Sequence, residues 1–154
     1  EILLADSETQ KNKLWKLRRT IGEAVKSNSI YKEEDTVVPR AELAKLLRGV
    51  KEIGNRYSFK SVCYGHAGDG NLYINIIKGD MSDEDWNTKL TVGIREIFEL
   101  THSLGGTLSG EHGIGLVQKD YMDIVFSEKS LELQKGIKNL FDPNGILNPG
   151  KILK

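Results

Sequence analysis

The segment SFKSVCYGHAGDGNLYINIIKG, residues 58–79, contains two β-rich runs on either side of a glycine-rich loop. Its Val, Ile, Tyr and Phe residues favour extended backbone, whereas the glycines, Asp and Asn between the runs favour a turn. Residues 60–64 and 71–77 are therefore predicted to be adjacent antiparallel strands. Glycines lose more backbone freedom on folding than other residues, so such a loop is typical of a sharp bend or a close approach to a ligand.

Helical spacing of apolar residues precedes this segment. Ser7 and Gln10 have the spacing of a capping box, and the pattern after them predicts a helix over residues 9–26. Residues 27–36 are rich in Ser, Asn, Lys, Glu and Asp and are predicted to form a connecting loop. TVVP, residues 36–39, could be a short strand.

Further helices are predicted after Pro39, after Asp83 and in the C-terminal part of the chain. Pro39 is suited to the start of a helix because its φ is already helical and the missing N–H would be unpaired there. Asp83 can cap the next helix. Helices that alternate with strands predict an α+β fold, an antiparallel sheet with helices packed on one face.

The composition fits one domain, residues 1–154, and excludes several classes of partner. Lys plus Arg and Asp plus Glu both number 22, so nothing indicates a nucleic acid or an anionic membrane as a partner. No apolar run approaches the roughly 20 residues of a transmembrane segment. The single cysteine, Cys63, cannot form an internal disulfide, which predicts a reducing, cytoplasmic setting. The chain starts at Glu1 and is predicted to be a piece of a longer protein.

Two of the three histidines lie in glycine-rich stretches, His66 in GHAGDGN and His112 in SGEHGIG beside Glu111. Imidazole and carboxylate groups are the usual ligands of a catalytic zinc ion. The first stretch could equally be a plain turn in which Asp69 and Asn71 bond their own backbone. Spacing alone leaves both interpretations open.

Five motifs occur in one order: LWKLRRTIGEAV, DTVVPRAELAKLL, YGHAGDGNLYIN, GGTLSGEHGIG and DPNGILNPGK. In their sequences and their order, these motifs resemble those of the C-terminal domain of the FAD-linked oxidases. The resemblance is to the D-2-hydroxy-acid dehydrogenases of the vanillyl-alcohol oxidase superfamily, a group that includes the glycolate oxidase FAD subunit, D-lactate dehydrogenase and D-2-hydroxyglutarate dehydrogenase.

The resemblance implies a ferredoxin-like substrate and cap domain of an FAD-dependent enzyme. That enzyme would oxidise a D-2-hydroxy acid, such as lactate or glycolate, to the 2-oxo acid. FAD would be bound mainly by an N-terminal domain that this chain lacks, so the isolated chain is expected to be inactive. An electron-transfer subunit is a further partner that the resemblance allows. The rival interpretation is a non-enzymatic ligand- or metal-binding module that keeps the fold.

The resemblance also assigns a metal site and a base. His66 and Glu111 correspond to ligands of a divalent metal such as zinc, and we expect their side chains to lie within about 5 Å of each other. At the third ligand position the family has histidine and this chain has Tyr73, whose phenol, with a pKa of about 10, ligates zinc rarely. Tyr73 could ligate, a water could replace it, or no metal could bind. His112 corresponds to the general base.

Other positions correspond to substrate and cofactor contacts. Arg18 and Lys32 match basic residues that contact the substrate carboxylate, and Arg19 is predicted to face elsewhere. Asn75 matches a polar substrate contact, and Asn148 matches an asparagine that approaches the flavin. Without the resemblance, the two basic residues would be interpreted as solvated charges.

Overall fold

The computed structural model describes residues 4–27 and 29–153. Its centre is an antiparallel sheet with the strand order β2-β3-β1-β4. The strands are β1 Tyr31–Val37, β2 Lys60–Tyr64, β3 Asn71–Ile77 and β4 Thr107–Leu108. Together with five α-helices, this sheet confirms the predicted α+β class.

The β2–β3 hairpin forms as the sequence predicts. Its strands pair antiparallel, with Tyr64 opposite Tyr73. The glycine loop between them needs its last glycine, since Gly70 has a φ of 77° and a Cβ there would collide with the carbonyl oxygen of Val38. The carbonyl oxygen of Gly70 also accepts a hydrogen bond from the N–H of Val38 at 3.0 Å, which links the loop to the residue after β1.

The helices are α1 Glu8–Lys26, α2 Leu43–Tyr57, α3 Asp83–Ser103, α4 Met122–Val125 and α5 Glu128–Phe141. The Ser7 hydroxyl accepts a hydrogen bond from the backbone N–H of Gln10 and caps α1, as the capping-box spacing predicts. Pro39 precedes a short 3₁₀ turn that leads into α2. The cap of α3 is Ser82, so the prediction that Asp83 caps this helix was wrong; Asp83 is its first residue.

The core lies between one face of the sheet and helices α2 and α3. Ile74 and Ile76 of β3 are fully buried there, against Leu46 and Val50 of α2 and Ile94, Ile97 and Phe98 of α3. Helix α1 is different: none of its residues is buried. It lies across the other face of the sheet, where Lys26 pairs with Glu33. Among the described residues, no helix combines the length and apolar character that a bilayer crossing requires.

Strand β1 is the main departure from the prediction, because residues 27–36 were expected to form a loop. The strand starts at Tyr31 and pairs with β3 along its whole length and with β4 at its end. Its sequence, YKEEDTV, is rich in residues with low β-propensity. Pairing with neighbours on both sides overrides this local preference.

Glu34 is a carboxylic acid on the core face of β1. It is fully buried, and the ammonium group of Lys32 lies 3.8 Å from its Oε1 atom. Burial raises its pKa from 4.5 to about 7, and the nearby Lys32 and Gln118 only partly offset that rise. The folded protein therefore binds this proton more tightly than the unfolded chain does.

Replacement of Glu34 by glutamine should remove a pH dependence of stability. A raised carboxyl pKa makes the free energy of unfolding fall as pH rises from about 4.5 to about 7, in total by about 3 kcal/mol. We expect the free energy of unfolding of Glu34→Gln, relative to that of the wild type, to increase by about 2–3 kcal/mol from pH 5 to pH 8. Urea unfolding at both pH values measures this, with the exposed Glu132→Gln as the control. The same wild-type-to-variant difference at both pH values would contradict the assignment.

Candidate active site

Tyr73 of β3 is the centre of an aromatic cluster on the sheet face that α1 crosses. The ring of His112 stacks on it in parallel, with centroids 4.9 Å apart. Tyr64 and His66 contact the same ring edge-on, at centroid distances of 5.7 and 6.1 Å. The hairpin supplies three of these side chains, and the second glycine-rich stretch brings His112 to them.

The two predicted ligand residues converge in this cluster. His66 Nε2 lies 3.7 Å from Glu111 Oε1, which confirms the expected approach of the two glycine-rich loops. The Tyr73 hydroxyl also reaches Glu111 and donates a hydrogen bond to it. Burial, together with this hydrogen bond, raises the pKa of Tyr73 to about 12. Tyr73 is therefore a protonated donor at neutral pH.

These residues do not fit a three-ligand metal site. Among residues 4–27 and 29–153, no three His, Cys, Asp or Glu side chains converge closely enough to hold a metal ion. A phenol ligates zinc as the phenolate, whereas the proton of Tyr73 is held by Glu111. Zinc as a cofactor is thus not supported by the donor set.

A histidine at position 73 should create the missing ligand. We expect Tyr73→His to bind Zn²⁺ at least about tenfold more tightly than the wild-type chain, because three nitrogen and oxygen ligands suffice for zinc. Titration calorimetry on this chain measures the change, with Tyr31→His as a control on the same strand face of β1. Equally tight binding of one Zn²⁺ by the wild type would show that its donor set is sufficient.

The His112 ring has a carboxylate partner in Glu33 of β1. His112 Nδ1 lies 3.7 Å from Glu33 Oε1, and the imidazole remains half exposed. The other oxygen of Glu33 accepts a hydrogen bond from the Tyr64 hydroxyl at 3.4 Å and pairs with Lys26 of α1 at 3.3 Å. Such a carboxylate, on the side of the ring away from the free nitrogen, is the usual arrangement for a general base.

A cleft of about 500 Å³ opens between α1 and this cluster. Its walls include Tyr64, His66 and Tyr73 from the hairpin, and Arg18 and Arg19 from α1. Arg19, which was predicted to face elsewhere, borders the same cleft, and the direction of its side chain stays a prediction. Two successive arginines of α1 therefore border the same cleft as the predicted ligand His66, and the Arg18 guanidinium lies over the Trp15 ring, 5.5 Å from its centroid.

The remaining predicted contacts do not line this cleft. Lys32 lies on the opposite face of the sheet, since it pairs with the buried Ile76 and contacts Glu34. Asn75 is on the same strand face as Tyr73, fully buried, and its amide makes no hydrogen bond to any described residue. Asn148 lies in an exposed turn at a φ of 47°. The roles assigned to the three residues stay predictions.

Sequence reasoning missed Asp35, which is almost fully buried beside the cluster. Burial alone would raise its pKa, but hydrogen bonds from the backbone N–H groups of Glu111 and His112 and from Asn71 and Ser109 lower it below the usual range. Asp35 is therefore a carboxylate at neutral pH. Asp35 opens the motif DTVVPRAELAKLL, but no role was predicted for it, because residues 27–36 were expected to be a loop.

Comparison with known proteins finds one matching family and several similar proteins. The family model for FAD linked oxidases, C-terminal domain, matches residues 1–152. The chain is 38% identical over 156 residues to D-2-hydroxyglutarate dehydrogenase of Stutzerimonas stutzeri (strain A1501), covering 97% of this chain and 33% of the relative. It is 35% identical over 153 residues to D-lactate dehydrogenase of Anaerostipes hadrus, covering 99% and 32%. The chain thus spans about a third of the length of these relatives.

Proposed function

Since the chain belongs to the family of FAD linked oxidases, C-terminal domain, we propose that it is the substrate-side domain of an FAD-dependent dehydrogenase. The substrate would be a D-2-hydroxy acid such as D-lactate or glycolate, and the product the 2-oxo acid. Because the relatives are about three times as long as this chain, the flavin would be bound mainly by another part of the enzyme.

The observation that carries the proposal is that two arginines border a cleft whose wall includes Tyr73, the residue on which the proposed base stacks. Oxidation of a 2-hydroxy acid requires a group that takes the hydroxyl proton and a cation that holds the carboxylate. Arg18 and Arg19 line the cleft, and a guanidinium group binds a carboxylate through two parallel hydrogen bonds. His112 stacks on Tyr73, which forms another wall of the cleft.

In this arrangement each residue has a distinct role. Arg18 would hold the substrate carboxylate, with Arg19 adding positive charge beside it. The His112 imidazole, oriented by Glu33, would accept the hydroxyl proton. Tyr73 would keep the imidazole in place by stacking and keep the loop closed through its hydrogen bond to Glu111. FAD, when bound, supplies the acceptor for the hydride from the same carbon.

The residues at the edge of the site are compatible with a bound flavin. The His112 side chain is half exposed, and Asn148 is exposed. The C-terminal turn that carries Asn148 is fastened to the second glycine-rich stretch, since the N–H of Ile152 donates a hydrogen bond to the carbonyl of Gly115 at 2.7 Å. Asn148 is thus tied to the stretch that carries the proposed base, and we propose it as a flavin contact.

The test is anaerobic reduction of the flavin in the full-length enzyme. D-Lactate, glycolate or D-2-hydroxyglutarate should bleach the flavin absorbance at about 450 nm, and L-lactate should not. Turnover with an artificial electron acceptor then ranks the three acids. If the acids bind without bleaching the flavin, the domain is a ligand-binding module, and the proposed enzyme function is wrong.

A further inference from the structure

The loop that carries His112 wraps around a single carboxylate oxygen. Asp35 Oδ2 accepts hydrogen bonds from the Ser109 hydroxyl at 2.9 Å and from the backbone N–H groups of Glu111 and His112 at 2.8 and 2.9 Å. Its other oxygen accepts a hydrogen bond from Asn71 at 2.7 Å. Two consecutive backbone amides of the loop therefore converge on one buried charge.

The conformation of this loop needs such an anchor. Ser109 has a φ of 52°, in a left-handed region that side chains other than glycine seldom adopt. Its hydroxyl accepts a hydrogen bond from the N–H of Gly113 at 2.7 Å while donating to Asp35. At Gly110 a Cβ would collide with the Asn71 side chain, so the loop packs directly on the Asp35–Asn71 pair.

Asp35 also connects the loop to the centre of the sheet. It sits on β1 directly opposite Tyr73, the residue on which the His112 ring stacks. The imidazole is therefore fixed at both ends, through its backbone by Asp35 and through its ring by Tyr73. Each contact depends on the register between β1 and β3.

We propose that Asp35 is a positioning residue for the oxidation, which holds the backbone of His112 so that the imidazole faces the substrate. Asp35 does not touch the substrate and acts only through the loop. The proposal rests on the proposed function for the role of His112. It goes further in assigning the geometry of the base to a buried carboxylate on another strand.

The central variant is Asp35→Asn, which keeps the shape of the side chain and removes its charge. The NH₂ or the uncharged oxygen of the new amide would then face the N–H and O–H groups that now donate hydrogen bonds to the carboxylate. Those hydrogen bonds would be lost or weakened. In the full-length enzyme we expect kcat to fall roughly 10–100-fold, since a displacement of about 1 Å has effects of that size. KM should change by less than about threefold, because the arginines of α1 are untouched.

Amide hydrogen exchange on this chain tests the anchor without any assay of activity. In Asp35→Asn the amides of Glu111 and His112 should exchange at least about tenfold faster, while those of β3 keep their protection. Asp142→Asn is the matched control, because Asp142 is buried and accepts hydrogen bonds from the N–H groups of Ile146 and Leu147. That variant should accelerate exchange in its own loop only.

The kinetic measurement and the hydrogen-exchange measurement together distinguish failure of the positioning role from failure of the proposed function. Unchanged exchange at Glu111 and His112 overturns the proposal whatever the enzyme does. Faster exchange with full turnover overturns it too, provided that His112→Ala has lost activity. If the wild type oxidises none of the acids, the proposed function has failed, and exchange alone decides whether Asp35 anchors the loop. Should Asp35→Asn not fold, Ser109→Ala removes one donor to the same oxygen and should shift both measurements in the same direction.

Discussion

The His112→Ala variant of the full-length enzyme is expected to turn over its hydroxy acid about 10²–10⁴-fold more slowly than the wild type. The imidazole lies beside Glu33 and stacks on Tyr73, and its removal takes away the proposed proton acceptor. KM should change little, because the loss concerns proton transfer and not the binding of the carboxylate. Steady-state kinetics with an artificial electron acceptor measure both constants.

The control for this variant is His102→Ala. His102 is exposed in the last turn of α3, outside the cluster, and its loss should leave kcat unchanged. Near wild-type turnover in His112→Ala would remove the general-base role from this residue.

Arg18→Ala is expected to raise KM by about 10–100-fold and to change kcat much less. A hydrogen-bonded ion pair with a carboxylate contributes roughly 1.5–3 kcal/mol, and it holds the substrate before as well as during the reaction. The measurement is substrate saturation in the full-length enzyme. Arg48→Ala, an exposed arginine of α2, is the control and should leave KM unchanged.

Arg19→Ala distinguishes the two guanidinium groups of the cleft. If Arg18 is the anchor, Arg19→Ala should raise KM by only a few-fold, through the loss of nearby positive charge. A large KM effect confined to Arg19→Ala would transfer the anchor role to that residue. Unchanged saturation in both variants would exclude α1 as the carboxylate-binding element.

The hairpin was predictable because its signals are local. Residues with high β-propensity flank a glycine loop, and each part agrees with the structure that it adopts. Strand β1 carries the opposite signals, since charged residues occupy four of its seven positions. The positions of β1 that face the core, Lys32, Glu34 and Thr36, are polar, so the apolar alternation expected of a strand is absent. Only pairing with β3 and β4 makes the segment extended, and a single sequence does not display that pairing.

The site likewise contains residues whose positions were predictable from the sequence and residues whose positions were not. The approach of His66 and Glu111 was implied by the family resemblance of two short stretches, and the structure confirms it. The position of Asp35 depends on its register with Tyr73 across two strands, which no local pattern encodes. The strand face on which Lys32 lies depends on the same register.

The proposed substrate contacts and the proposed base are held by different elements of the domain. Its arginines line the cleft, yet the helix contributes no buried residue, whereas His112 is held by hydrogen bonds to a central strand. Changes along α1 should therefore disturb folding little, while changes around Asp35 should disturb the reaction at once. In such an architecture, substitutions in one surface helix can change the substrate preference. The position of the base, which the sheet holds, stays the same.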